Sequence, residues 1–406
     1  YVTLVSPSGG FLPFGAGFTE ASATIPARAI MAGIAIVVAL LFLITAIIGR
    51  WRLAVIGTAL YVISGLVLGL GYPAIIQRFQ VDPSARTLEA DYIQRNIEAT
   101  RDAYGISDVV EIAYEASTDT SAGALRADAE TTANIRIIDP ALVTDAFAQL
   151  EQFRQYYQFP QYLDVGRYMV DGESTDTVLA AREINLDGLN SQTWYNNTVV
   201  YTHGYGVVAA FGNQRTEDGQ PRFIESGIPV SAVLGDYEPR IYFGENSPPY
   251  SIVGGPDGST PLELDFPSGG EGNENNATYT FTGDGGPKLD SLFSQLLYAL
   301  KFQSEQIILS DAISSDSQIL YDRHPADRVQ KVAPYLTLDN DPYPAIVDGR
   351  VVWIVDGYTT TSDYPYSTPV NVSEAIADTY RPSPQLAFDT VNYMRNSVKA
   401  TLDAYS

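Results

Sequence analysis

AIMAGIAIVVALLFLITAII (Ala29–Ile48) and LAVIGTALYVISGLVLGLGYPAII (Leu53–Ile76) run 20 and 24 residues without a charge. A helix rises about 1.5 Å per residue, so 20 residues cover about 30 Å, the thickness of a hydrocarbon core. Gly49-Arg50-Trp51-Arg52 joins the two runs. So short a link predicts antiparallel neighbours, with both chain ends on one side. A signal peptide fits poorly, because the first run is too long and lacks a basic lead-in. Two spans of membrane length side by side also argue against a buried soluble hairpin. Gly65-x-x-x-Gly69, with Gly57 and Ser64 nearby, offers a small-residue face for close helix approach. Neither run holds an ionisable residue, so these helices supply no proton relay. Arg50 and Arg52 crowd the turn while Arg28, Arg78 and Arg86 flank the other ends, so charge alone leaves sidedness open.

The hairpin divides the 406 residues into a lead-in (1–27), the membrane segment (28–76, with spans 29–48 and 53–76) and an acidic region (77–406). The fold class expected is α+β: a transmembrane helical hairpin followed by a large mixed α/β domain. The chain carries 24 Lys+Arg against 48 Asp+Glu, net −24, and the last region alone carries −26. Such a surface excludes nucleic acid, whose phosphates need a basic footprint. It favours divalent cations and basic partners. With no cysteine there is no disulfide, thiolate metal site or thiol nucleophile. At 330 residues the acidic region exceeds the size at which one core stops growing, about 250–300 residues, so two subdomains are expected. The opening on Tyr1 and the ending at Ser406 inside a strand-like run suggest a piece of something longer, incomplete at its C-terminus.

Helical spacing predicts helices over Leu88–Tyr104, Pro140–Tyr157, Leu289–Leu309 and Pro325–Tyr335. In the third, Leu292, Phe293, Leu296 and Leu300 mark one apolar side. Residues 116–130, rich in Ser, Thr, Ala and Asp, read as a surface loop. Strands are expected at Val178–Ile184, Thr198–Phe211, Ile241–Gly244, Tyr250–Val253, Leu262–Phe266, Thr278–Thr282 and Val351–Val355. Asn396–Tyr405 alternates like a strand with nothing after it to pair with.

No G-x-S-x-G, H-E-x-x-H or Walker A sequence is present. Gly204-Tyr205-Gly206-Val207-Val208-Ala209 matches the loose pattern G-x-G-x-x-A, but strand-like residues follow where a phosphate-binding helix is needed. His203, flanked by glycine, is the candidate for acid–base work. The competing reading is a hydrogen-bonded histidine at a strand bend. His324, before Pro325, belongs near a helix start. Glu183 and Arg240 join His203 as catalytic candidates. Arg182-Glu183 and Arg240…Glu245 read equally as buried ion pairs or as a polar pocket. Asp339, Asp341, Asp348 and Asp356 sit on Gly/Pro loops, where hard cations find converging oxygens, so Ca²⁺ or Mg²⁺ is the ligand considered there. Asp-Gly is also the ordinary turn dipeptide.

Eight segments together carry a resemblance: Tyr92–Arg101 (YIQRNIEATR), Asn134–Pro140 (NIRIIDP), Ala180–Glu183 (AARE), Tyr201–Gly206 (YTHGYG), Pro239–Gly244 (PRIYFG), Asp341–Pro344 (DPYP), Trp353–Thr360 (WIVDGYTT) and Tyr393–Ala400 (YMRNSVKA). The chain resembles a family of large multi-pass membrane proteins from actinobacteria, cyanobacteria and some other bacteria, uncharacterised protein family 0182. The resemblance implies further membrane helices upstream, more of the large domain downstream, and a domain lying outside the cytoplasm. It implies no activity. The family's recurrent polar residues overlap those singled out above: Arg182, Glu183, His203, Arg240 and Asp356.

The function expected is a non-enzymatic binding or scaffold module of the bacterial cell envelope, held in the plasma membrane. An envelope hydrolase or transferase using His203, and a subunit of a transport or export assembly, are the alternatives. Partners expected are the bilayer, further membrane helices of the longer protein, an envelope protein, glycan or lipid, and a second copy of the chain.

Overall fold

The computed structural model describes residues 2–7, 12, 14–113, 123, 135–268, 276–339, 341–372, 374 and 390–406. The chain falls into two compact units, one within 1–114, 358–376 and 383–396, the other within 115–357 and 397–406. Residues 116–130, read as a loop, lie outside the described residues apart from Gly123.

The first unit holds the two apolar helices, α1 (Glu20–Ile48) and α2 (Trp51–Leu88), of 29 and 38 residues. Both are long and apolar enough to cross a membrane. They form despite many β-branched residues, because a continuous apolar helix satisfies every backbone polar group internally. Pro26 lies in the first turn of the regular α-helical stretch Ile25–Ile48, and Gly49 in the left-handed conformation marks its end. The close approach between them centres on Gly57, where an added Cβ would lie 3.5 Å from Val38 and 3.6 Å from Leu41. Gly65 faces Met31 at 3.6 Å, while Gly69 faces open space. Of the Gly65/Gly69 pair, only Gly65 therefore meets the partner helix.

Helix α3 (Ala90–Ala103) follows, close to the expected Leu88–Tyr104. Its buried Asn96 donates to the carbonyls of Phe14 and Tyr366. At its C-terminal end the Arg395 guanidinium donates to the carbonyls of Asp102 and Ala103, which have no partner within the helix.

The second unit is layered. Helix α4 (Thr144–Glu151) is shorter than the predicted Pro140–Tyr157. The chain turns after Glu151 and enters a short strand pairing of Tyr157–Gln158 with Glu183–Ile184. Strands β1 (Asp164–Val170), β2 (Glu173–Ala181), β3 (Val207–Arg215) and β4 (Pro221–Glu225) form an antiparallel sheet in sequence order. Strand period two sends alternate residues to opposite faces. Val178, Ala180, Val208 and Ala210 pack with Phe147 of α4. Leu179, Ala181, Val207 and Ala209 pack with Val351, Trp353 and Ala404 of a second sheet. The expected strand Thr198–Phe211 is divided: Asn196–Val200 is helical, and only Gly204–Tyr205 and β3 are extended. Thr193 Oγ1 accepts the Asn196 amide at 3.1 Å, and Val199 is buried with Leu289 and Ile307. Tertiary burial overrides the strand preference of Thr and Val there.

Strand β5 (Tyr250–Val253) matches its expected bounds. Strands β6 (Glu263–Pro267) and β7 (Asn276–Tyr279) form a hairpin. The predicted single helix Leu289–Leu309 is two: α5 (Leu292–Phe302) and α6 (Gln306–Leu309), broken at Gln303 with φ 52°. The break lets Ile307 enter the core with Leu289 and Ile319. The apolar side marked in the sequence faces out. Leu292, Phe293, Leu296, Leu297 and Leu300 are exposed, and Tyr298, Ala299 and Phe302 pack inward. Strand β8 (Gln318–Tyr321) pairs with β5, and α7 (Pro325–Val332) begins on a proline. Strands β9 (Thr337–Leu338), β10 (Tyr343–Val347) and β11 (Arg350–Thr361) form the second sheet, with β11 central. Strand β12 (Tyr393–Asp403) corrects the reading of an unpaired C-terminal run, since it pairs with β11, earlier in the chain.

Candidate functional site

Six separate segments of the second unit converge on a buried polar network. Arg323, 3% exposed, donates from Nε to the Tyr242 carbonyl at 2.5 Å, from Nη1 to Ser251 Oγ at 2.7 Å and from Nη2 to the Thr202 carbonyl at 2.5 Å. Glu263, equally buried, accepts four bonds. They come from Thr202 Oγ1 at 2.8 Å, Tyr242 OH at 2.6 Å, Phe281 N at 2.9 Å and Gly254 N at 3.1 Å. Thr202 and Tyr242 therefore touch both charges, each through its backbone to one and its hydroxyl to the other. Burial pulls Arg323 down to about 9 and pushes the Glu263 carboxyl up, against the donors that favour its charge.

His203 lies beside this network and is fully buried. Its Nδ1 sits 2.8 Å from the Gly204 carbonyl, which places the proton on Nδ1, and Nε2 has no partner among the described residues. The ring lies 4.7 Å from that of Tyr242. Burial lowers its pKa to about 4, so the ring is neutral. The flanking glycines serve packing. A Cβ on Gly204 would meet the Arg182 carbonyl at 2.3 Å, and Gly206 has φ 79°. Strand β3 then follows directly, so this pattern cradles no phosphate.

The other candidates are occupied. Glu183 accepts from Asn246 N at 2.8 Å and Asn246 Nδ2 at 3.3 Å, and burial pushes its pKa up to about 7. Arg182 is paired with Glu151 at 3.2 Å and caps the carbonyls of Glu151, Tyr205 and Gly227. Arg240 grips Asp265 with two bonds of 2.7 and 2.9 Å, meets Glu238 at 2.7 Å and lies 3.5 Å over the Tyr279 ring. Of the two readings left open for Arg182-Glu183 and Arg240…Glu245, ion pairs or a polar pocket, the arginines form ion pairs, Arg182 with Glu151 and Arg240 with Asp265 and Glu238. On a strand, neighbouring residues point to opposite faces.

Asp339, Asp341 and Asp356 lie close, since the Asp339 amide donates to the Asp356 carbonyl at 2.8 Å, but the Asp339 and Asp356 carboxylates take separate partners. Asp356 pairs with Lys399 at 2.5 Å, Asp339 Oδ1 accepts the Asp341 amide at 3.2 Å, and Asp348 opens a Gly349 turn with φ 49°. Among the described residues no three His, Asp or Glu side chains form a cation site. These loops therefore do not fit Ca²⁺ or Mg²⁺, which takes several converging oxygens.

A cavity of about 520 Å³ opens between β5, β6 and the Asp311–Ser314 turn, with Glu263 in its wall. A second, of about 260 Å³, lies between Gly285–Pro287 and α7. Neither is lined by His203, Glu183, Arg240 or Asp356. Glu263 and Arg323 were not singled out in the sequence. The available signal was Leu262-Glu263-Leu264-Asp265-Phe266, where two acids share one face of an otherwise apolar strand.

The chain combines two helices long and apolar enough to cross a membrane with a mixed helix–sheet body built around a buried ionic core. The uncharacterised protein family UPF0182 matches residues 1–406, and the chain belongs to it. It is 60% identical over 405 residues to a UPF0182 protein of Clavibacter michiganensis subsp. michiganensis, covering all of this chain and 41% of the relative. It is 57% identical over 406 residues to one of Leifsonia xyli subsp. xyli, again 100% and 41%. A relative from Micrococcus luteus is 52% identical over 409 residues, 100% and 39%. The chain thus spans about two fifths of the length of the curated relatives it matches. No solved structure matches it.

Proposed function

We propose that this chain is a membrane-anchored piece of a cell-envelope protein whose folded body binds rather than catalyses. The observation that carries the reading is the fate of its polar residues. Arg182, Glu183, Arg240 and Asp356 are each consumed by a structural partner, and His203 is buried away from both cavities. A general base has to reach a substrate proton within about 2.6–3.2 Å, directly or through one water. The exposed apolar face of α5 supports binding, since contiguous apolar patches mark interaction surfaces. The purified chain is expected to turn over no chromogenic ester, phosphoester, glycoside or peptide substrate. Turnover that disappears in His203→Gln, assayed well below the variant's own melting point, overturns the reading.

The second part of the proposal is orientation: Arg50 and Arg52 in the cytoplasm, and the large body outside. The family resemblance supports it, since it implies a domain outside the cytoplasm where charge alone leaves sidedness open. The chain has no cysteine, so a single one at exposed Ser107 is an unambiguous label site. In intact cells a membrane-impermeant thiol reagent is expected to modify Ser107→Cys. Labelling that appears only after lysis reverses the orientation.

A further inference from the structure

We propose that the 520 Å³ cavity beside β5 and β6 is a binding site for a neutral saccharide, which names a ligand class for the binding function proposed above and rests on that reading. Its volume lies within the range of small-molecule sites, about 300–1,000 Å³. Its wall holds two carboxylates, Glu263 and Asp311, and no Lys, Arg or His. Glu263 is saturated by its four donors, so it closes the floor and is not available to a ligand. A phosphate, sulfate or uronic acid would find a like charge and no cation.

The free groups have a common chemistry. The hydroxyls of Tyr195, Ser259, Thr260 and Thr280 and the carboxylate of Asp311 line the cavity, and none has a hydrogen-bond partner among the described residues. A hydroxyl donates and accepts, and a carboxylate accepts from two neighbouring hydroxyls. This is the complement of a ring bearing several O–H groups. The Tyr195 side chain is 39% exposed and its ring stacks on no other among the described residues, so it presents an aromatic face to the apolar C–H face of a sugar. An open-chain polyol has no such face. A metal ion is not the fit, because Asp311 is the one carboxylate free to ligate it. Gly254, with φ 76°, and Gly255 turn the chain at the rim.

The test uses the intact chain in phosphatidylcholine nanodiscs, so that no glycosidic detergent headgroup competes. Maltose, cellobiose, mannobiose and chitobiose are titrated, with a uronic-acid disaccharide as the anionic counterpart, and read by saturation-transfer NMR and by fluorescence of the neighbouring Trp194. At least one neutral disaccharide is expected to bind and the uronic acid to fail. Tyr195→Ala and Asp311→Asn are each expected to weaken binding by about tenfold, the effect of losing one good contact. Both side chains are exposed, so melting should not change. The proposal is overturned if no neutral disaccharide binds, if the uronic acid binds as tightly, or if both variants bind like the parent. Absence of binding would leave the non-catalytic reading standing. Release of monosaccharides would keep the saccharide site and overturn that reading instead.

Discussion

Glu263→Leu is expected to cost the second unit about 3–5 kcal/mol, the range seen when one partner of a buried ionic network is removed. Leu is of similar size, so the loss is electrostatic more than steric. Four donors lose their acceptor at once: Thr202 Oγ1, Tyr242 OH, Gly254 N and Phe281 N. A buried donor left unmade costs about 1–3 kcal/mol. Arg323, buried and tied to the same Thr202 and Tyr242, is left with less compensating charge nearby. Glu263→Gln retains one acceptor oxygen but turns an NH₂ toward donors, so an intermediate loss of about 1–3 kcal/mol is expected. Trp353 is a local reporter, buried with Nε1 2.7 Å from the Phe243 carbonyl. For a body of this size each kcal/mol moves the melting point by roughly 2–4 °C, so Glu263→Leu should melt at least about 6 °C lower. A Trp353-monitored melt unchanged from the parent would mean that the network contributes little to folding.

That network shows what a linear reading reaches and what it does not. The membrane helices are legible because composition alone decides them: 20 uncharged residues have one stable form in lipid. Strands β2 and β3 are legible because Val178–Ala181 and Val207–Ala210 are apolar on both faces, and both faces are covered. The pairing of β12 with β11 is not legible, because nothing local specifies a partner some forty residues upstream. The orientation of α5 is not legible for a related reason. Its longest apolar stripe, Leu292-Leu296-Leu300, is exposed, and the smaller face around Ala299 is the one Tyr321 and Ile319 accommodate. His203, Glu183 and Arg240 stood out by residue type as catalytic candidates, with a hydrogen-bonded histidine and buried ion pairs as the competing readings. Which partners they take depends on Asn246, Asp265 and Glu238, which their own segments do not announce. The Glu263–Arg323 network joins Thr202, Tyr242 and Ser251 across 121 residues of chain, so only the fold assembles it.

His203 and Glu183 should make opposite contributions to the pH dependence of stability, and removing either one should expose the other. Burial moves Glu183 from its ordinary 4.5 up to about 7 and His203 from 6.5 down to about 4. Each displacement is worth roughly 3 kcal/mol by linkage. For Glu183 the folded state holds a proton that the unfolded state releases first. Its contribution is complete below pH 4.5 and is lost as pH rises toward 7. For His203 the unfolded state takes up a proton that the folded state refuses. Its contribution is complete above pH 6.5 and is lost as pH falls toward 4. Between pH 4.5 and 6.5 the two slopes oppose each other. Asp265, Arg240 and Arg323 also face His203, Asp265 favouring its charge and the arginines opposing it, but burial is the larger effect. Relative to the parent, His203→Gln should lose about 3 kcal/mol of stability between pH 4 and 6.5, where the parent's His203 contribution rises. Glu183→Gln should gain about as much between pH 4.5 and 7, where the parent's Glu183 contribution falls. Melting series at quarter-unit pH steps read both, with the parent curve subtracted so that the remaining carboxylates cancel. Variant and parent curves that run parallel across pH 4–7 would show that neither group is held in the charge state its burial dictates. A shift of the same sign in both variants would show that the two titrate as one coupled pair.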